Sequence, residues 1–316
     1  FKQKTAYEIP LRLVGSEMCI RDRNGIPEVR EEISKYMNDM FDVKTSPFQH
    51  SIVNGGMLGI KICCEIVLEK GDEVVIVGPV WPNIRSSVVL REAVINEVSL
   101  DFDKTWTLDL NKLLNAITDK TKLVFINSPN NPTGKVYSAK FLDYICGAYP
   151  NMTVLIDNTY RHFCTEDYFD LCNYENCLLA FSYSKSWGLA GARLGILQGH
   201  VNTIQQITKI RPIMSVSSIT LRLAEYLHKH HYIVEKSLER NRQGIDFAYK
   251  YFSNCKIYSE PTINHVVFEP TEDIISRLDS QKILYGKAPE FSNTAIRLTT
   301  LPKDQFEKLL CLNTSK

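Results

Sequence analysis

Short apolar runs recur along the chain between residues 52 and 198, and patterns typical of amphipathic helices separate them. The runs rich in Val, Ile and Leu are predicted strands, over 73–77, 122–126, 153–156, 178–182 and 193–197. Helices are predicted over 57–68 and from an N-cap at Ser138 to about residue 146. Continuous apolar strands are typical of a sheet that is buried on both faces. The pattern therefore predicts an α/β fold with a largely parallel sheet covered by helices.

The pattern changes after Gly199. Two long helical patterns are followed by short strands that alternate with helices, over 217–230, 233–252, 265–269, 295–299 and 303–311. This part is predicted to form a second, smaller α+β unit. The expected division of the chain is a large domain over 46–215 and a small domain made of 24–45 and 216–316.

The N-terminal segment, residues 1–23, does not fit this organisation. Residues 11–23 (LRLVGSEMCIRDR) form neither a convincing strand nor a capped helix, whereas an amphipathic helix begins in the run from Gly25 to Arg30. Our hypothesis is that residues 11–23 are translated adapter or assembly sequence and not native protein. Sequencing the genomic locus would test it.

Composition and charge narrow the class of protein. The chain has 316 residues, 44% of them apolar, and a formal net charge of +1. Near neutrality gives no reason to expect nucleic acid or an anionic membrane as a partner. No apolar run is long enough to span a bilayer, and residues 1–10 lack the apolar core of a secretory signal. A cytoplasmic location is expected.

The cysteines agree with that expectation. There are nine, Cys63 and Cys64 are adjacent in an apolar run, and no C-x-x-C pair occurs. Neither a zinc site nor a disulfide framework is therefore predicted. The cysteines are interpreted as small buried hydrophobic residues that stay reduced.

The strongest chemical motif is SYSKSWGLAGARLG over 182–195. It places Lys185 at a strand end, after the hydroxyls of Ser182 and Ser184 and eight residues before Arg193. A lysine amine condenses with an aldehyde, and hydroxyls with a guanidinium bind a phosphate. The alternative is an exposed lysine in a glycine-rich loop.

Two further motifs follow predicted strands. NSPNNPTG, over 127–134, contains Asn131, and Asp157 ends the next strand, with Tyr160 three residues later. Ligands of open α/β sheets bind at the carboxyl ends of the strands. A simple turn at 127–134 and a helix N-cap at Asp157 are the alternatives.

Taken in this order and spacing, the motifs resemble those of the fold-type I aminotransferases that depend on pyridoxal 5'-phosphate. Within the class I/II group, they are most similar to the histidinol-phosphate aminotransferases. The resemblance covers roughly residues 24–311. It implies a large domain with a mostly parallel seven-stranded sheet, a smaller α+β domain and a homodimer. It also implies a small-molecule amino donor, a 2-oxo acid acceptor and pyridoxal phosphate as cofactor.

The resemblance also implies roles for individual residues. Lys185 would form the Schiff base and move the proton, Asp157 would pair with the pyridine nitrogen, and Tyr160 would contact the phenolic oxygen. Other cofactor contacts would come from Asn131 at the phenolic oxygen, from Gly55, Gly56, Met57, Ser182, Ser184 and Arg193 at the phosphate, and from Trp81 stacked on the ring. Arg297 would hold the substrate carboxylate.

Several alternatives remain open from the sequence. Trp81 could be a core residue, and Arg297 could form a structural ion pair or lie solvated at a sheet edge. A dinucleotide loop at 54–57 is disfavoured because G-x-G-x-x-G is missing and no clear strand precedes it. The pair Asn158-Thr159 departs from the family pattern. So does Arg161, which is expected either at the site mouth or in solvent.

Alternatives also remain for the reaction. A decarboxylase similar to threonine-phosphate decarboxylases, or a lyase, would use the same fold and the same lysine. A cofactor-sensing half of a transcription regulator would need a helix-turn-helix, and none is visible in the sequence. An inactive relative is the remaining alternative.

Overall fold

The computed structural model describes residues 24–102, 106–212 and 215–311, apart from the side chains of 309–311. The hypothesis about residues 11–23 concerns a segment outside this described part.

A seven-stranded sheet forms the centre of the larger unit. Its strands are β1 (His50–Asn54), β2 (Glu73–Gly78), β3 (Val94–Ser99), β4 (Thr121–Asn127), β5 (Thr153–Asp157), β6 (Cys177–Ser182) and β7 (Leu194–Gly199). The spatial order is β1-β7-β6-β5-β4-β2-β3, and only the pairs that include β7 are antiparallel. All five strands predicted from apolar runs are present, which confirms the mostly parallel α/β sheet.

Helices cover both faces of this sheet. They are α1 (Pro27–Phe41), α2 (Gly56–Val67), α3 (Asn83–Val89), α4 (Leu110–Ala116), α5 (Ala139–Ala148) and α6 (Val201–Ile210). Neighbouring strand residues point to opposite faces, so Val124 packs with Leu142 of α5 while Leu123 packs with Ile60 of α2. Because both faces are buried, the central strands are apolar along their middle positions, as residues 123–126, 154–156 and 178–181 show.

A second, four-stranded antiparallel sheet forms the smaller unit. Its strands are β8 (Lys256–Ile257), β9 (His265–Glu269), β10 (Gly286–Lys287) and β11 (Ile296–Thr299), in the order β10-β11-β9-β8. The later helices are α7 (Ser218–Lys229), α8 (Tyr232–Tyr251), α9 (Glu272–Ser280) and α10 (Lys303–Cys311). Phe252 stacks on Phe268 with ring centroids 4.2 Å apart in the core of this unit. The predicted smaller α+β unit is confirmed.

A third apolar cluster connects the two units. Ile33 of α1 packs in it with Ile52 of β1, Leu221 of α7 and Leu238 of α8. Helix α1 therefore contacts both the large sheet and the later helices. The division at residues 46 and 215 stays a prediction.

One expectation about the sheet was wrong. Strand β1 ends at Asn54 and directly precedes α2, where the sequence had suggested no clear strand. Its residues His50 and Ser51 are polar although both are buried, so the segment lacks the apolar run that marks the other strands. It also lies at the sheet edge and pairs only with β7. The 54–57 segment is thus a strand-to-helix turn, still without the G-x-G-x-x-G spacing.

Candidate active site

The carboxyl ends of three parallel strands meet at one side of a cavity. Asn127 ends β4 and is in register with Asp157 at the end of β5, while β6 ends at Ser182. The cavity has a volume of about 440 Å³. Of the predicted site residues, the cavity is lined by Gly56, Met57, Trp81, Asn131, Asp157, Tyr160, Ser182, Ser184, Lys185, Arg193 and Arg297. Gly55 lies immediately behind, next to Arg193.

The turn after β4 is tied to the end of β5. The Asn131 backbone N–H donates to Asn127 Oδ1 at 2.7 Å, and Asn127 Nδ2 donates to the Asp157 carbonyl at 2.9 Å. The NSPNNPTG segment is thus a turn, as the simpler interpretation held. That turn also holds Asn131 at the cavity wall.

The Asp157 side chain is held by Thr159, one of the two residues that depart from the family pattern. Its Oδ1 accepts hydrogen bonds from the Thr159 backbone N–H at 3.1 Å and the Thr159 hydroxyl at 2.6 Å. Only a short 3-10 turn, Arg161–Phe163, follows, so Asp157 is not the N-cap of an α-helix. Burial at the base of the cavity raises the pKa of the carboxyl, which the Thr159 hydrogen bonds and Lys185 lower in part. A cation placed against this carboxyl would favour its charged form.

Lys185 shares the cavity with two charged neighbours. Partial burial and, next, the cationic Arg297 lower the pKa of its amine, while Asp157 raises it. The balance favours the neutral amine more than at an ordinary exposed lysine. A neutral amine is the nucleophilic form, so the environment suits attack on a carbonyl carbon.

An anion site lies at the other end of the cavity. Ser182 Oγ donates to Ser184 Oγ at 3.0 Å, and both hydroxyls line the cavity with Arg193. Helix α2 begins here at Gly56, and the first N–H groups of a helix have no intrahelical partner. Hydroxyls, a guanidinium and a helix N-terminus are groups that can together bind a phosphate.

Two glycine positions make this close arrangement sterically feasible. Gly55 has φ of +79°, and a Cβ there would lie 2.6 Å from Arg193 Nη2. A Cβ at Gly195 in β7 would lie 2.5 Å from the Gly56 backbone nitrogen. Side chains at either position would therefore push the strand-to-helix turn or the arginine out of place.

Trp81 and Arg297 both face the cavity. Trp81 is 39% exposed, which excludes the interpretation as a core residue. Arg297 lies on β11, and no carboxylate lies within 4.0 Å of its guanidinium in the described part of the chain. A structural ion pair is therefore not seen, and the guanidinium is available to an anionic ligand.

Arg161 occupies neither of the two places expected for it. It is 2% exposed, and its guanidinium lies 4.2 Å from the centroid of the Phe181 ring and 5.1 Å from that of Phe169. Burial lowers the pKa of Arg161 to about 10. The side chain packs on aromatic faces away from the cavity because its 3-10 turn directs it into the core.

The sequence interpretation missed several cavity residues. Asn127, Thr159, Asn264, His265 and Thr299 also line the cavity. His265 is the first residue of β9, which pairs with the β11 strand that holds Arg297. The two polar residues Asn264 and His265, at the start of an apolar strand, were the sequence feature that could have indicated this part of the cavity lining.

The comparisons with known proteins agree with this geometry. Residues 14–256 match the family described as aminotransferase class I and II. The chain belongs to the class I and II aminotransferase family. Over 241 residues it is 30% identical to the histidinol-phosphate aminotransferase of Methanococcus aeolicus, covering 73% of this chain and 62% of the relative. It is 32% identical over 193 residues to the aspartate aminotransferase of Pyrococcus horikoshii, covering 59% and 49%.

Solved structures of family members share the fold. The histidinol-phosphate aminotransferase of Sinorhizobium meliloti, solved with pyridoxal-5'-phosphate, superposes with a TM-score of 0.76 at 22% identity, over 90% of this chain and 80% of that one. The aspartate aminotransferase of Thermotoga maritima gives 0.77 at 22% identity, over 93% and 85%. These matches confirm the predicted fold class. The chain spans less than two thirds of the length of the curated relatives named above.

Proposed function

We propose that this protein is a pyridoxal-phosphate-dependent aminotransferase that moves an amino group between an amino acid or amine donor and a 2-oxo acid. The main support is the placement of the Lys185 amine and the Asp157 carboxyl in one cavity with an anion site. The family membership and the names of the relatives support the same reaction.

The charges of the cavity fit the proposed cofactor. Among the described residues, the lining holds the guanidinium groups of Arg193 and Arg297 and the amine of Lys185, but only one carboxyl, that of Asp157. A phosphate near Arg193 and a substrate carboxylate near Arg297 would balance these charges. A protonated ring nitrogen at Asp157 would compensate the burial of that carboxyl. The donor set therefore fits pyridoxal phosphate.

Each residue at the cofactor would have a separate task. Lys185 Nζ would hold the cofactor covalently, Asp157 would keep its ring nitrogen protonated, and Asn131 with Tyr160 would bind its phenolic oxygen. The phosphate would be bound by Ser182, Ser184, Arg193 and the backbone of Gly55, Gly56 and Met57, and Trp81 would stack on the ring. When bound, pyridoxal phosphate supplies an aldehyde and a ring that accepts electrons from the donor's Cα.

The chain's own residues would perform the proton transfer. Arg297 would fix the donor by its carboxylate, which orients the Cα–H bond toward the lysine side of the cavity. Lys185 Nζ, whose pKa is lowered, would take the Cα proton as a general base when it is in its neutral form. The same amine, once protonated, would act as the acid.

Transfer is favoured over decarboxylation. The relatives and solved structures described above are named as aminotransferases, which does not support the decarboxylase or lyase alternative. The complete set of polar groups in the cavity argues against an inactive relative.

The test is to mix the purified chain with pyridoxal phosphate, a panel of amino acids and 2-oxoglutarate. We expect a yellow absorbance band and formation of a keto acid without release of carbon dioxide. Lys185→Ala should lose the band, and its activity should fall by at least about 1,000-fold. Both effects are expected because the general base and the covalent attachment are removed together. Lys209→Ala, on the exposed face of α6, is the matched control and should keep both. Carbon dioxide release, or no band in the wild type, would reject the proposal.

We also propose a cytoplasmic homodimer with a biosynthetic role. Helix α7 exposes Ile219, Leu223 and Tyr226, at 81%, 36% and 54%, at a spacing that forms one stripe. Of the nine cysteines, the seven whose side chains the structure describes are free thiols, which suits a reducing compartment: Cys63, Cys64, Cys146, Cys164, Cys172, Cys177 and Cys255. None of the described helices combines the length and apolar character needed to cross a membrane. Light scattering should give twice the 36.2 kDa mass of the chain.

A further inference from the structure

The two residues that depart from the family pattern, Asn158 and Thr159, directly follow Asp157 and hold the end of β5. Asn158 is 2% exposed, and its Nδ2 donates to the Ser128 carbonyl in the turn after β4 at 2.7 Å. Its backbone N–H donates to the Ala180 carbonyl of β6 at 2.8 Å. Asn158 therefore fixes the backbone between the two neighbouring segments, while Thr159 acts on the Asp157 side chain.

The hydrogen bonds from Thr159 occupy one oxygen of the Asp157 carboxyl and leave the other free. The backbone N–H and the hydroxyl of Thr159 both donate to Oδ1, at 3.1 Å and 2.6 Å, which restricts rotation of the carboxyl group. Oδ2 accepts no hydrogen bond from the described residues, and it is not one of the atoms that burial seals from solvent. Since the side chain lines the cavity, Oδ2 is the oxygen that a ligand can contact.

The charge of this carboxyl also depends on Thr159. Burial raises the pKa of Asp157, and the hydroxyl and backbone N–H of Thr159, followed by Lys185, lower it in part. The other titratable or charged groups that line the cavity are Tyr160, Lys185, Arg193, His265 and Arg297. A hydrogen bond to the charged form of a carboxyl favours that form. Because the Thr159 hydroxyl itself carries no charge, its effect on Asp157 does not depend on how these groups titrate.

We infer, on the basis of the proposed function, that Thr159 is a positioning residue whose hydroxyl holds Asp157 so that Oδ2 faces the protonated ring nitrogen of the cofactor. Oδ1 is then committed to Thr159, and the ring nitrogen meets a single acceptor that is already oriented. Asp157 contacts the cofactor, and Thr159 acts through it. The preference of the site for a ring nitrogen should therefore depend on a hydroxyl two residues further along the chain.

Substitutions at position 159 separate the hydroxyl from the rest of the side chain. Thr159→Val keeps the branched shape and removes the hydroxyl, while Thr159→Ser keeps the hydroxyl and removes the methyl group. Thr159→Ala removes both and is a second variant without a hydroxyl. The backbone N–H that donates to Oδ1 is present in all three. A packing role predicts that the Val variant resembles the wild type more than the Ser variant does, and the inference predicts the reverse.

The first experiment uses the cofactor-free chain and follows the Asp157 carboxyl during a pH titration, by carbon NMR on aspartate labelled at Cγ. Asp157→Asn assigns the signal, because it removes that carboxyl alone. The pKa of Asp157 should rise by about 1–2 pH units in Thr159→Val and Thr159→Ala, because the charged form loses a hydrogen bond. In Thr159→Ser it should stay close to the wild-type value.

The second experiment measures the preference for a ring nitrogen. Equilibrium dialysis gives Kd values for pyridoxal phosphate and for deazapyridoxal phosphate, in which a C–H group replaces the ring nitrogen. The pH is set above the carboxyl pKa found in the first experiment, so that Asp157 is charged in every variant. The wild type should bind pyridoxal phosphate more tightly, and Thr159→Val should reduce this ratio of Kd values by about 3- to 10-fold. Thr159→Ser should keep the ratio.

Three results would overturn the inference. The first is an unchanged pKa of Asp157 in both Thr159→Val and Thr159→Ala. The second is an equal weakening of both compounds in Thr159→Val, which a merely structural residue would produce. The third is a wild type with equal Kd values for the two compounds, because Asp157 would then not contact the ring nitrogen. A wild type that binds neither compound would instead reject the proposed function, and the titration of the cofactor-free chain would still accept or reject Thr159 as the group that holds Asp157.

Discussion

At the scale of single residues, the chemistry of the site depends on how neighbouring charges tune one amine. The pKa of Lys185 is lowered first by burial and then by Arg297, while Asp157 acts in the opposite direction. Removing either charged neighbour should therefore move the titration of Lys185 in a direction fixed by the sign of the charge.

Arg297→Gln removes a cation and should raise the pKa of Lys185, so that the neutral amine forms only at higher pH than in the wild type. Asp157→Asn removes an anion and should lower that pKa, so that the neutral amine persists to lower pH. Competitive labelling of the cofactor-free chain with acetic anhydride, from about pH 6 to about pH 11, measures the neutral fraction of each lysine by mass spectrometry.

Arg297→Lys keeps the positive charge and is the matched control for this experiment. Its labelling curve should stay close to that of the wild type, because the charge is kept and only the shape of the side chain changes. Shifts of the same sign in Arg297→Gln and Asp157→Asn would contradict the electrostatic account.

At the scale of elements, the phosphate site depends on how closely β1, α2 and β7 approach one another. The Gly55–Gly56 turn lies against Gly195 of β7 and against the Arg193 guanidinium. Arg193 itself adopts a left-handed conformation with φ of 53° at the end of a 3-10 turn. The turn is therefore packed on two sides by parts of the same site.

Gly55→Ala should weaken cofactor binding by at least about 10-fold, because a displaced Arg193 loses a charge-assisted hydrogen bond to the phosphate. The free energy of unfolding should also fall by about 1–3 kcal/mol, since φ of +79° with ψ of 153° is a conformation that disfavours any side chain. Fluorescence titration with pyridoxal phosphate and urea denaturation measure the two effects separately.

Gly71→Ala separates the steric effect from the backbone effect. Gly71 has φ of +86°, but a Cβ there would meet no atom within 4 Å. This variant should lose stability to a similar extent while its affinity for the cofactor stays unchanged. Equal losses of affinity in both variants would show that the Arg193 contact is irrelevant.

The same elements show what the sequence could and could not predict. The central strands were predicted because their middle positions are buried on both faces and form continuous apolar runs. Strand β1 was missed because buried His50 and Ser51 interrupt that pattern. The motif residues could be predicted to lie at one cavity because local chemistry distinguishes them, and their roles there stay a prediction. The position of His265 depends on the pairing of β9 with β11, which lies outside any local pattern.

Arg161 illustrates the same limit. An arginine beside a predicted catalytic tyrosine suggested the site mouth or solvent, but the fold places it over Phe181 in the core. Side-chain direction in a short turn depends on packing between distant segments, and the sequence alone does not specify it.

At the scale of the whole molecule, buried histidines couple folding to pH. His50, His162, His228 and His265 are all at least 96% buried. Burial lowers the pKa of His50 to about 3 and that of His228 to about 4, and it holds the pKa of His162 well below its ordinary value. These rings stay neutral in the folded chain at a pH where the unfolded chain would protonate them.

The sign of the pH dependence follows from proton binding. Below an unfolded pKa of about 6.5, the unfolded chain binds more protons than the folded chain, so stability falls as the pH is lowered. Each such histidine contributes a slope of about 1.4 kcal/mol per pH unit until the pH reaches its folded pKa. Between about pH 6 and pH 5 the effect is strong, and the raised pKa of Asp157 opposes it only in part.

His50→Leu tests this account, because neither ring nitrogen of His50 has a hydrogen-bond partner among the described residues and a leucine there carries no charge. The slope of the unfolding free energy against pH should decrease by about 1.4 kcal/mol per pH unit between about pH 6 and pH 5. Urea denaturation at several pH values measures it. Ile52→Leu, at a buried position of the same strand that carries no titratable group, should leave the slope unchanged. An unchanged slope in His50→Leu would mean that the ring is already protonated in the folded chain, so that its burial is offset by a partner that neutralises the charge.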